Sequence, residues 1–340
     1  MKSHTVPRKL LEQFAYSDAC TKSLRLWRYE KGRLPRGDAS PRSATRIDRH
    51  FNHPDIAGKE EELETRLNQE FEDPVNRFLF KDGIGGYFGI DENRRQLTQY
   101  VTLLFYRSKA RRDMTEYLHH VTAEAVDQFC ANEQHVLTVA TNWNINLILS
   151  GYIREGTITP DGVKKVARKL LKTYDTERRR QESYAESVER AMTYLDDRIY
   201  DGQWNLVKTS GDKPFIISDT PVVTWERSAS GVFRYGLGFH EPNVEALLPI
   251  SPLSCLHILP KVLRNLPMQP PTSGEVNAAQ AAFSGQFCYA DIQSDWINQI
   301  VQKNFGRAEL GVTAFTIGHR NYEKLVYEHL LNLNHRVPHP

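Results

Sequence analysis

The sequence predicts an α+β fold, a helical body packed with a mostly antiparallel β-sheet. Between residues 56 and 200 apolar side chains recur at helical spacing, and from Trp204 to about residue 262 short β-branched runs alternate with turn signals. The charge balance fits the same class. With 44 basic against 42 acidic residues and 40% apolar residues, the chain is globular rather than polycationic or disordered. Any affinity for nucleic acid must therefore come from local clustering.

The elements follow in order. In "HTVPRKLLEQF" Pro7 stands at the first turn of a short helix, where its missing N–H costs nothing. "SLRLWRYEKGRLP" reads as a strand entering a Gly/Pro turn, and "PRGDASPRS" (35–43) as a loop. "KEEELETRLNQEFEDPVNRFLF" places Leu63, Leu67 and Phe71 on one helical face, with acids clustered in the first turn where the dipole favours them. Pro74 is expected to break or kink that helix. The glycine-rich "KDGIGGYFGID" lacks a preceding strand and a Lys-Ser/Thr ending, which excludes a phosphate loop. Helices are predicted near 92–112, 113–134, 135–150, 161–180 and 181–200, with a strand as the alternative for 135–150.

From Trp204 the runs "WNLVKTS", "FIIS", "PVVTW", "GVFRYGL", "EALLPIS" and "CLHILP" predict the sheet, which the N-terminal strand is placed to complete. Helix returns from Val276 to about Asn304 and after Asn321. The divisions are thus a strand and loop segment (1–55), a helical body (56–200) and a β-rich part with C-terminal helices (201–340), read together as one integrated domain. Cys20, Cys130, Cys255 and Cys288 form no CxxC pair and read as thiols in a reducing compartment. There is no apolar leader and no run long enough to span a bilayer, so the expectation is a cytoplasmic protein without a membrane partner.

Candidate functional residues are scattered. In "FIISDTPVVTW" Asp219 ends one apolar strand just before the next begins. An aspartate there either presents a rigid carboxylate to a site or caps the turn's own amides beside Pro221. His4 precedes a helix start from which it reaches back into a site, or else lies in solvent. Arg8 and Lys9 follow it within a turn and are candidates for phosphate contact. "RHFNHPD" offers His50, His53 and Asp55, a weak metal signal in a loop context. Arg107 and Arg111 share a helical face in "RSKARR", and Lys165, Arg168 and Lys169 share another in "KKVARKLLKTYDTERRR". The bland alternative for both is a solvated helix surface. Glu64, in the acidic helix, is a candidate to point inward with Asp219 towards a divalent ion, magnesium or manganese. No GxSxG elbow or HExxH stretch supports serine hydrolase or zincin chemistry.

As an ordered set, several of these motifs resemble a large bacterial family known only as a domain of unknown function. They are His4-Thr5-Val6-Pro7 with Leu11 and Phe14, then Leu26-Trp27-Arg28-Tyr29-Glu30-Lys31, then Ser218-Asp219-Thr220-Pro221. "QYVTLLFYRSKARRD" is similar to the family's apolar helix ending in an arginine, here Arg107, and "ETRLNQEFED" to its paired-glutamate helix. Thr5 stands where the family has an aromatic residue. The resemblance implies that His4, Arg107 and Asp219, far apart in sequence, meet in one pocket.

Two functions remain open at this stage. One is a phosphate-directed enzyme, a nuclease of bacterial defence or toxin type. His4 would be its acid or base, Asp219 would orient it or hold a metal, Glu64 would assist, and Arg107 would meet phosphate charge. The other is a non-catalytic sensor or interaction protein that binds nucleic acid or a partner protein.

Overall fold

A computed structural model of the chain describes residues 2–48, 59–81, 91–108, 111–112, 187–226, 234–235, 238–239, 244–261 and 269–310. The chain divides into two compact units, one of Met1–Asp113, Tyr184–Gly311 and His339–Pro340, the other of Met114–Ser183 and Val312–Pro338. All described residues belong to the first unit. The helices expected at 113–134, 135–150 and 161–180 lie outside them, as do His50, His53 and Asp55.

The chain opens with β1 (Lys2–His4), α1 (Arg8–Glu12), β2 (Tyr16–Ser17), β3 (Leu24–Tyr29), β4 (Arg36–Ala39) and β5 (Arg46–Asp48). Pro7 sits at the N-cap of α1, and Leu10 and Leu11 drive that short helix into the core. Then come α2 (Lys59–Arg66), a π-helical segment (Leu67–Glu72) and α3 (Asp73–Lys81). Pro74 does not stop this run. A proline ring collides with the carbonyl four residues earlier in an α-helix, and the wider π turn just before it relieves that crowding. The same turn aligns residues five apart, so Leu67 and Glu72 are both buried. Next is α4 (Asp91–Tyr106), whose Leu97, Tyr100, Val101 and Leu104 face the core.

A helical stretch at 187–193 precedes α5 (Asp197–Tyr200), which Asp196 caps by accepting from Arg198 N at 3.0 Å. Six strands follow: β6 (Gln203–Lys208), β7 (Ile217–Ser218), β8 (Val223–Glu226), β9 (Arg234–Tyr235), β10 (Val244–Ser251) and β11 (Ser254–Leu259). The described chain closes with α6 (Ser273–Phe283), β12 (Cys288–Ala290), α7 (Asp295–Asn304) and β13 (Glu309–Leu310). A capping box starts α6: Thr272 Oγ1 accepts from Glu275 N at 3.3 Å, and Glu275 Oε2 accepts from Thr272 N at 2.7 Å.

These strands form an α+β fold with mostly antiparallel pairing. One sheet has the order β6-β11-β10-β8, antiparallel throughout. Strand β11 and all but the last residue of β10 are buried, which is why their sequences are apolar on both faces rather than alternating, with Glu245 and His257 as a buried polar pair. At the entrance to β6, a Cβ on Gly202 would lie 2.6 Å from the carbonyl oxygen of Leu259, so only glycine fits that approach.

Strand β3, the N-terminal strand expected in "SLRLWRYEKGRLP", does not complete this sheet. It belongs to a second one, ordered β2-β3-β12-β7, with β4 also pairing to β3. Its register sets Tyr29 opposite Cys288 and Trp27 opposite Ala290. Residues 288–290 thus form a strand inside the stretch expected to be helical, because pairing on both sides overrides local propensity. β9 and β13 form the one parallel pair among the described strands.

Between the sheets, α6 replaces missing ladder bonds with side-chain amides. Asn277 accepts from Ile216 N at 2.9 Å and donates to the carbonyl of Pro214 at 2.8 Å. Gln280 accepts from Ser218 N at 3.0 Å and donates to the carbonyl of Pro221 at 3.0 Å. Both amides are fully buried, so each holds backbone groups that would otherwise lack a partner.

Candidate functional site

Arg107 is the largest fully buried side chain among the described residues. It sits one residue past α4, its N–H still bonded to the carbonyl of Leu103 at 2.9 Å. One end of its guanidinium donates to a carboxylate oxygen of Glu72, delivered by the π turn, and the other to the backbone carbonyl of His4 at the end of β1. Three elements distant in sequence thus converge on one planar fork, a geometry lysine does not reproduce.

The electrostatics of this cluster follow from its burial. Desolvation works to lower the Arg107 pKa, but Glu72 and then Glu64 act the other way, and the net direction is upward. Tyr100 is fully buried beside the same ion pair. Burial, and after it the charge of Glu72, push its phenol well above the ordinary range, with Arg107 partly offsetting them. The Tyr100 hydroxyl has no hydrogen-bond partner among the described residues. Glu64 is 8% exposed and Glu72 6% exposed, while the His4 side chain is half-buried at the margin. Two carboxyl groups, one guanidinium and one phenol therefore share a largely dry region, which the His4 backbone carbonyl joins.

Arg107 donates to the backbone carbonyl of His4, and the charge of Glu64 acts on its guanidinium. Glu72 and Tyr100 join them, and the sequence reading did not single out either. The usable signal for Glu72 was Pro74 two residues later, since a proline inside a continuing helical pattern demands an irregular turn.

Asp219 occupies a hydrogen-bonding post of its own. Its carboxylate accepts from Ser284 Oγ at 3.2 Å, Gly285 N at 2.9 Å and Gln286 N at 2.6 Å. These donors form the link between α6 and β12, so Asp219 ties the end of β7 to that loop. Ser218 is bound as well: its hydroxyl lies 2.9 Å from the carbonyl oxygen of Thr220 and 2.8 Å from Gln280 Oε1, either of which can take its one proton.

The remaining sequence candidates are dispersed. Arg8 and Lys9 are exposed and both pair with Glu12 at 2.8 Å. The guanidinium of Arg111 lies 5.3 Å from the ring centres of both Phe105 and Tyr106, and burial pushes its pKa down, with Tyr106 partly opposing. Lys165, Arg168 and Lys169 lie outside the described residues. Among those described, no group of three or more His, Cys, Asp or Glu side chains is arranged to hold a metal ion. One further buried pair was not foreseen: His257 Nε2 and Glu245 Oε2, 2.5 Å apart on β11 and β10.

No helix among the described residues is long and apolar enough to cross a membrane. Compared with curated proteins and with solved structures, the chain finds no match. The family described as Protein of unknown function (DUF4238) matches residues 2–300, which takes in every residue of the Arg107 cluster and the Asp219 turn. The chain therefore belongs to that family.

Proposed function

We propose that this protein is a phosphate-directed hydrolase, a nuclease of bacterial defence or toxin type, with His4 as its acid–base group. The observation that supports the reading is the grip of a fully buried Arg107 on the backbone of His4, with Glu72 as counter-ion and Glu64 close by. A buried ion pair is a poor device for stability alone, because the desolvation cost of two charges rivals their attraction. Dry clusters of ionisable groups are instead where proton-transfer chemistry is tuned.

In this reading Arg107 is a positioning residue. Its fork is occupied by Glu72 and His4, so it fixes where the imidazole stands rather than meeting phosphate itself. His4 takes a proton from the attacking water as its oxygen bonds to phosphorus, the bond from phosphorus to the leaving oxygen breaks, and the imidazolium returns that proton to the leaving oxygen. An unperturbed histidine pKa near 6.5 suits that exchange at neutral pH. Glu64 adds to the negative charge that holds the Arg107 guanidinium in place.

The test is cleavage of labelled RNA, single-stranded DNA and duplex DNA, each with magnesium, manganese or EDTA. Wild type, His4→Ala, Glu64→Gln and Arg107→Lys are compared, with folding checked by circular dichroism. Cleavage lost in His4→Ala at unchanged melting temperature supports the reading. For Arg107→Lys, a shifted acidic limb in the pH–rate profile marks positioning. Full activity in a folded His4→Ala protein refutes the assignment.

A second reading has its own support. The Asp219 carboxylate accepts three hydrogen bonds and the cations Arg8 and Lys9 share Glu12, which fits a non-catalytic sensor or interaction protein. Absence of cleavage on every substrate by a folded protein favours that alternative.

A further inference from the structure

We infer that the β3–β4 hairpin, with β2 beside it, is a binding surface for single-stranded nucleic acid. This deepens the nuclease reading by naming a substrate class, but the binding itself does not depend on cleavage.

The first observation is charge. Residues 2–48 contain eleven Lys and Arg against five Asp and Glu, whereas the whole chain is nearly balanced at 44 against 42. The excess is therefore concentrated in this segment, and the remainder of the chain is net acidic. Lys31, Arg36 and Arg42 are exposed and make no ion pair among the described residues. Arg28 and Arg33 are partly neutralised, by Asp38 at 3.1 Å and by Glu30 at 2.8 Å.

The second observation is an aromatic platform. Tyr16 and Trp27 stack with ring centres 5.8 Å apart and planes 22° from parallel, and both are half-buried. Tyr16 lies opposite Arg25 in the register, and Trp27 is two residues further along the same strand, so all three share a face. Gly37 makes the arrangement possible. A Cβ there would fall 2.5 Å from the Tyr16 hydroxyl and 3.4 Å from the Trp27 ring, so the rings lie close over a bare strand. The Tyr16 hydroxyl donates to the Gly37 carbonyl at 3.1 Å, which fixes the platform.

The third observation is preorganisation. The hairpin tip is held by one side chain, Gln302 of α7. It accepts from Gly32 N at 2.7 Å and donates to the carbonyls of Glu30 and Arg33 at 2.8 and 3.3 Å. Gly32 takes φ +74°, which suits glycine, and Leu34 beside it is 80% exposed. The tip backbone is thus fixed while Lys31, Arg33 and Leu34 project outward. Cations for the phosphates and rings for the bases, on a rigid support, are what sequence-tolerant single-strand binders use. A duplex hides its bases and leaves the platform unused.

The experiment is fluorescence anisotropy with a fluorescein-labelled 20-mer of oligodeoxythymidine, a 20-mer of oligouridine and a mixed-sequence 20-bp duplex. It is carried out on the full chain in the His4→Ala background so that cleavage does not interfere. Single strands are expected to bind more tightly than the duplex. Added Trp27→Ala should weaken single-strand binding roughly 5- to 150-fold, the range for loss of one stacked base. Because Trp27 also packs against buried residues, a second variant, Lys31→Ala/Arg36→Ala, changes only exposed side chains. It should lower the salt-dependence slope by about 1.4, from about 0.7 per lost phosphate contact. No binding of either single strand, or binding unchanged in both variants, would overturn the inference. Equal duplex binding unaffected by Trp27→Ala would overturn the stacking role. Binding that survives in a protein without nuclease activity would sink the nuclease reading and leave this surface standing.

Discussion

Replacing Arg107 with Met removes a guanidinium from a site with no solvent exposure while keeping most of its apolar stem. Glu72, only 6% exposed, then loses its ion partner, and the His4 carbonyl loses its donor. Removing one member of a buried pair costs about 3–5 kcal/mol, because an uncompensated charge stays behind. For a compact unit of this size that corresponds to a fall in melting temperature of roughly 6–20 °C, at about 2–4 °C per kcal/mol. Glu72→Leu should cost a similar amount, since it strands the guanidinium instead. The double variant Arg107→Met/Glu72→Leu removes both charges and should lose only about 1–2 kcal/mol, chiefly the hydrogen bond to His4. Urea unfolding followed by circular dichroism and by tryptophan fluorescence measures all three, and coincident transitions justify the two-state treatment. The reasoning predicts a coupling of at least about 2 kcal/mol between the two positions. It is refuted by additive single and double losses, or by an Arg107→Met variant that loses less than about 1 kcal/mol.

Asp219→Ala leaves two backbone N–H groups and the Ser284 hydroxyl without their acceptor, and should lower stability by about 2–4 kcal/mol in a urea titration. An activity loss with no change in stability would contradict that. Gln280→Ala frees Ser218 N and the carbonyl of Pro221 in a buried setting, and about 1–3 kcal/mol should go with it; faster hydrogen exchange at Ser218 is the local readout. Gly202→Ala forces a Cβ against the Leu259 carbonyl and should lower the melting temperature by several degrees, whereas Gly211→Ala, which meets nothing within 4 Å, should leave it within about a degree. Tyr29 gives an alkaline prediction. Burial above all raises its pKa to about 12, against about 10 for a free tyrosine. The folded state therefore holds this proton more tightly than the unfolded one. Its contribution is complete below pH about 10 and is lost as the pH rises through about 12. The stability gap between wild type and Tyr29→Phe should accordingly narrow above pH 10, and a gap that widens there would show that the sign is wrong.

How legible each part was depended on how far apart its determinants lie. The strands at 223–226, 244–251 and 254–259 announce themselves because each buries a run of neighbouring residues. The three residues of β12 are too short to show a period. Their strand identity comes from Tyr29 and Ser218, far upstream in the chain. Arg107 was legible as a cation at the end of an apolar helix, but its burial was not, since its partner Glu72 lies 35 residues away among acids that read as solvated. Asp219 shows a different limit. The residues before it fixed the strand end, while its donors at 284–286 reside in a loop that nothing local in "SDTP" specifies.

The pairing of β3 with β12 also sets a schedule. The Tyr29 hydroxyl bonds the carbonyl of Ile292 at 2.7 Å and accepts from Ser294 N at 2.9 Å, across a separation of 263 residues in the first case. At synthesis rates of about 5–20 residues per second, the first strand leaves the ribosome roughly 15–50 s before its central partner exists. During that wait β3 is an unsatisfied edge, the kind of segment that templates association with a neighbouring nascent chain. Arg25 and Arg28, spaced through an otherwise apolar run, make it a poor template for such pairing. A chain released before Cys288 keeps that edge exposed permanently, with β3 paired to β2 and β4 alone.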